Sequence, residues 1–118
     1  MADERFLRGQ RIRLGRDFLL FRASKVRGRG RGFLIVNKSG VPGGRPRIAI
    51  VTSKKTGGAV RRNALRRMVR DSFRHIQWQL SPNSDWMIVF LPPSKGMALE
   101  DLKIPVEKKM LKMSCCSN

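Results

Sequence analysis

Between Leu65 and Leu80 the residues Leu65, Met68, Val69, Ser72, Phe73, Ile76 and Leu80, all but Ser72 apolar, recur at i, i+3, i+4. That is the spacing of a helix packed against a core, and it predicts a helix from about Gly58 to Leu80. Shorter β-rich runs at Phe33–Asn37 and Arg47–Ser53 flank the turn cluster Gly40-Val-Pro-Gly-Gly44 and read as a hairpin-like pair of strands. A third strand is predicted from Trp86 to Leu91, stopped by Pro92-Pro93. Leu99, Leu102, Val106 and Met110 give the segment from Ala98 to Met113 helical spacing, and Pro105 within it either starts that helix or kinks it. A short helix is predicted from Arg16 to about Lys25, with Asp17 in the first turn, where a negative charge suits the helix dipole. The run Arg27-Gly-Arg-Gly-Arg-Gly32 reads as a basic loop unable to settle as a strand; contact with RNA phosphates and a flexible linker are equally open for it. The order helix, strand, strand, helix, strand, helix implies an α+β fold, a small mixed β-sheet with helices packed mainly on one face. The 118 residues suit one domain, 1–118, with 1–15 a basic arm and 114–118 a disordered tail.

Charge changes this picture more than any other property. Lys and Arg number 26 against 8 Asp and Glu, a formal net charge of +18. Such an excess draws polyanions, either nucleic acid or anionic membrane. Membrane is the weaker candidate: no apolar run approaches the ~20 residues needed to span a bilayer, and Met-Ala-Asp-Glu-Arg resembles neither a signal peptide nor an acylation motif. On the long helix, Asn63, Arg66, Arg67, Arg70 and Arg74 occupy the arc opposite the apolar stripe, with only Asp71 at the edge. Guanidinium groups four residues apart on a helix stand roughly 6 Å from one another, near the phosphate spacing of a polynucleotide, and each can grip phosphate through paired donors. A solvated helix face normally mixes charge signs, so this one-sided face points to RNA.

Other constellations carry less. Asp71 and His75 at i, i+4 could act as acid and base, but no nucleophile, metal cluster or second carboxylate shares their face, and a surface salt bridge is the better reading. Gly57-Gly58 lacks the Walker spacing; the N–H groups at the helix start could still hold one phosphate. Trp78 and Trp86 flank apolar runs, which favours core packing over base stacking. Cys115 and Cys116 are adjacent and offer neither a structural disulfide nor a zinc framework, which fits a reducing cytoplasm. An autonomous nuclease would need clustered carboxylates for metal ions. The few acids here are scattered, whereas a structural RNA-binding protein of the ribosome would share the charge and the size.

Lys54-Lys55, Gly57, Ala59-Val60 and Arg62-Asn63-Ala-Leu-Arg66-Arg67 together resemble the protein component of bacterial ribonuclease P, and the likeness extends over residues 5–113. The resemblance implies an α+β fold with a left-handed crossover between parallel strands, a hand that general topology rules disfavour. It implies an accessory subunit of an endoribonuclease in which a catalytic RNA removes the 5′ leader of precursor tRNA, with Mg2+ held mainly by that RNA and none bound by the protein alone. By position, Lys54, Lys55, Arg62, Asn63, Arg66, Arg67 and Arg70 would face the catalytic RNA, joined by Arg61 and by Arg74 of the outward arc, and Phe18, Leu34 and Val36 would line the leader cleft. The implied partners are RNA, not DNA, and no membrane. Three departures stand out: Ala64 replaces the second arginine of the arginine–asparagine–arginine signature, with Arg61 or Arg67 as possible substitutes. Arg22 stands where a cleft aromatic is usual, Phe21 being the nearest. Val36 occupies a position where an aromatic is common, which weakens base stacking in the cleft.

Overall fold

The computed structural model describes residues 12, 14–40 and 44–116, with the side chains of 14–18 and 115–116 outside that description. Its elements run α1 (Leu14–Ala23), β1 (Val26–Gly30), β2 (Phe33–Ser39), β3 (Arg47–Val51), α2 (Ala59–Ile76), β4 (Ser84–Phe90) and α3 (Leu99–Cys116), with short 3-10 turns at Lys54–Thr56, Gln77–Gln79 and Pro92–Gly96. The strands form one mixed sheet in the order β1-β2-β4-β3. β1 and β4 are antiparallel to β2, whereas β3 runs parallel to β4. α2 therefore connects two adjacent parallel strands, the crossover unit that the resemblance implies.

Side-chain alternation divides the sheet into two faces. One carries Phe33, Ile35, Ile48, Trp86, Ile88 and Phe90, and packs against Leu65, Met68, Val69, Phe73 and Ile76 of α2 and Leu102, Val106, Met110 and Met113 of α3. Each apolar position assigned to the inner side of the long helix is buried there, together with Ser72 and Leu80. The opposite face carries Val36, Ala49 and Met87, covered by Phe21 from α1 and by Ile12. Two of the three helices thus share one face, as the pattern predicts.

Four expectations are corrected. The Arg-Gly run is a strand, β1, and not a loop. Its period-2 alternation leaves Arg27 and Arg29 exposed and puts Gly28 and Gly30 where bulk is excluded. A Cβ on Gly28 would lie 2.6 Å from Met113 Sδ, and one on Gly30 would lie 2.2 Å from the Phe33 ring, so glycine is what lets this edge strand pass close beneath α3. The hairpin is β1–β2, not β2–β3, because β4 inserts between the latter two. Pro105 does not start α3 but lies inside it, which excludes the first of its two alternatives and not the kink, and the helix continues through Cys116, past the expected start of a tail. Within the segment read as an arm, Ile12 is buried and its N–H donates to the Ile48 carbonyl at 2.9 Å; the rest of 1–13 lies outside the described residues, as do 117–118.

Ser84 and Asp85 open β4 at a polar end of the sheet. The register sets Asp85 directly opposite Lys38 of β2 and Arg47 of β3. Its carboxylate accepts from Lys38 Nζ at 2.8 Å, Arg47 Nε at 2.9 Å and Arg47 Nη2 at 2.6 Å. Burial pushes this carboxyl upward, but the hydrogen bonds and charges of Arg47 and Lys38 outweigh it and hold the group below its ordinary value.

Candidate nucleic-acid interface

The cationic surface starts where β3 ends. Ser53 caps the following 3-10 turn, its hydroxyl accepting from the Lys55 N–H at 3.3 Å while its carbonyl accepts from the buried Thr56 hydroxyl at 2.6 Å. Lys54 and Lys55 stand exposed on that turn. Gly57 then reverses the chain with φ +137°, in the left-handed region that favours glycine, and a Cβ there would meet Arg61 Cγ at 2.6 Å. Gly58 caps α2 without a side-chain hydrogen bond, and no acid occupies the first turn.

Along α2 the predicted residues separate into groups. Arg66 is held by two contacts, donating from Nη1 to Thr52 Oγ1 at 2.7 Å and from Nη2 to Asn63 Oδ1 at 2.6 Å. That brace points one guanidinium beside the Lys54–Lys55 turn and lowers the entropy lost when it grips phosphate. Arg67 is exposed, and Arg62 and Arg70 are half-buried. Arg74 pairs with Asp71 at 2.6 Å, and with these side chains 43% and 46% exposed the pair adds little stability. Asp71 therefore has Arg74 as a partner. Arg61 serves a different end: its Nη2 donates to the carbonyls of Ser94, at 2.9 Å, and Met97. It ties the start of α2 to the turn after β4, whereas Arg67 stands exposed.

On the α1 side of the sheet, Val36 is fully buried beneath Phe21, in a row with Met87 and Ala49. Leu34 is partly open. It pairs across β4 with Val89, which in turn pairs with Val51, so Leu34, Val89 and Val51 form a second, half-exposed apolar row ending next to Thr52. Phe18 lies in α1 above this face, its side chain outside the description. Val51 and Val89 were missed from the sequence; strand alternation would have placed them on the side of Leu34 only once the strand order was known.

Among the described residues no three His, Cys, Asp or Glu side chains gather to hold a metal ion, and no helix is long and apolar enough to cross a membrane. The ribonuclease P family model matches residues 6–114. The chain belongs to the ribonuclease P protein family. It is 38% identical over 93 residues to the ribonuclease P protein component of Thermotoga maritima, covering 78% of this chain and 76% of that one. It is 29% identical over 105 residues to that of Shouchella clausii, covering 87% and 84%. The Staphylococcus aureus RNase P protein structure superposes with a TM-score of 0.76 at 25% identity, covering 88% of this chain and 94% of that one. Membership makes this a protein component of a tRNA-processing ribonucleoprotein.

Proposed function

We propose that this ribonuclease P protein binds the catalytic RNA through the Lys54–Lys55 turn and the outward side of α2, with Lys54, Lys55, Arg62, Asn63, Arg66, Arg67, Arg70 and Arg74 as the contacting residues. The precursor tRNA leader lies along the half-open Leu34–Val89–Val51 row, with Phe18 of α1 as a further lining residue and Val36 in the buried row alongside it on the same face of the sheet. The observation that carries this reading is the one-sided cationic helix placed beside an apolar row, within a chain matched to the family over residues 6–114. Unstacked bases of a single strand settle on an apolar groove while flanking cations track the backbone.

The chain's own contribution is positional and electrostatic. At +18 it lowers the repulsion between two RNAs and raises their effective affinity for one another and for Mg2+ held by the RNA, which reduces the metal needed for turnover. Among the described residues no carboxylates gather to hold a metal ion, and in this reading bond cleavage is the work of the RNA. The setting is the cytoplasm, where both RNAs are made.

Reconstitution tests this. Alone, the protein leaves precursor tRNA intact; mixed with a bacterial ribonuclease P RNA it permits 5′ cleavage at low magnesium. Cleavage by the RNA-free protein, or no lowering of the magnesium requirement, overturns the proposal.

A further inference from the structure

One aromatic on the surface is unaccounted for by the core. Trp86 is fully buried and donates its indole N–H to Ser84 Oγ at 2.8 Å, as core packing predicts. Trp78 does not follow it: the residue is 47% exposed, the one aromatic among the exposed large apolar side chains of the described residues. The guanidinium of Arg45, from the segment leading into β3, sits 4.4 Å from the Trp78 ring centroid. That distance is well inside cation–π range.

Trp78 lies in the 3-10 turn that continues α2. Four residues separate it from Arg74, so it follows the stripe of Arg67, Arg70 and Arg74 about 6 Å further along the axis. An indole with a cation on one face and open surface elsewhere is a platform for a second flat, electron-rich group. The nearby charges fix what that group is. Arg45 and Arg74 repel a basic peptide and attract a phosphate backbone, and Asp71, the acid on this side of the helix, is taken up by Arg74.

We propose that Trp78 and Arg45 form a base-stacking platform for an unpaired nucleotide of the catalytic RNA. The base lies on the indole, and Arg45 and Arg74 reach the adjoining phosphates. The RNA surface then extends the full length of α2, about 30 Å from the Lys54–Lys55 turn to Trp78, instead of ending with the arginines. This inference rests on α2 being the RNA face.

The test measures binding of the full chain to a bacterial ribonuclease P RNA across a salt series, together with iodide quenching of tryptophan emission, which reads the exposed Trp78 and spares Trp86. Trp78→Ala should weaken binding about tenfold with the salt slope unchanged, since stacking releases no counterions. Trp78→Phe, which keeps a ring, should stay within about threefold, and RNA should shield the wild-type indole from iodide. Arg67→Ala is the control and should lower both affinity and salt slope. If Trp78→Ala binds as wild type, or RNA leaves the quenching unchanged, while Arg67→Ala weakens binding, the platform is refuted and the RNA face stands. If neither substitution matters, both readings fall.

Discussion

Replacing Asp85 with asparagine keeps the size of the side chain and removes the charge that two cations share, and the size of the loss follows from the geometry. The carboxylate is 1% exposed and meets three donors from the strands on either side of it. Removing one member of a buried ion pair costs about 3–5 kcal/mol, mostly because the remaining charge has lost both partner and water. Lys38 and Arg47 keep 13% and 25% exposure and so recover some hydration, which lowers the expected cost to about 2–4 kcal/mol. Urea unfolding at neutral pH measures it as a lower midpoint at constant slope. The effect must also depend on pH. A carboxyl held below its ordinary 3.8 stabilises the fold above that value and loses the contribution as pH falls through its folded value. The gap between wild type and Asp85→Asn should therefore be widest near neutrality and narrow below about pH 4. A loss under about 0.5 kcal/mol, or a gap that persists unchanged in acid, would refute the argument that this ion triad holds β2, β4 and β3 together.

Changing Arg66 and Arg67 together to alanine should weaken binding to the catalytic RNA and reduce the slope of log affinity against log salt by about 2, while the fold survives because neither side chain reaches the core; a salt titration reads this directly. Gly57→Ala should lower stability by about 1–3 kcal/mol, since it strains a φ of +137° and drives Cβ into Arg61; thermal unfolding checks it. Leu34→Ala combined with Val89→Ala should weaken precursor tRNA binding by the holoenzyme more than mature tRNA binding, and equal losses would show that the row does not meet the leader.

What could be read from the sequence followed the range of the interactions involved. The α2 stripe was legible because helical periodicity is local, and all seven apolar-arc residues are buried as the wheel places them. The strand order was not, since β4 enters between β2 and β3 through pairing with residues some fifty positions away, and no local signal carries that. β1 was missed because its inward positions are glycines, whose purpose appears only once Met113 and Phe33 press on them. The same limit governs the site. Lys54, Lys55, Arg66 and Arg67 could be placed from their own helix and turn. Arg61 could not, since its destination is a turn more than thirty residues later. Trp78, beside an apolar run, reads as core, but it continues the outward stripe four residues after Arg74, in the 3-10 turn that follows α2 directly, and is left outside.

The bond from Arg61 to the Ser94 and Met97 carbonyls also governs rotation. A helix lying on a sheet by an apolar stripe can roll about its own axis with little change in buried area. At the roughly 5 Å radius that side chains reach, a roll of about 20° would carry each outward guanidinium about 2 Å sideways, enough to break a hydrogen bond to a phosphate. Arg61 fastens one end of the cylinder to the frame, much as a key fixes a shaft in its hub. It sets the angular position of every cation downstream on the helix.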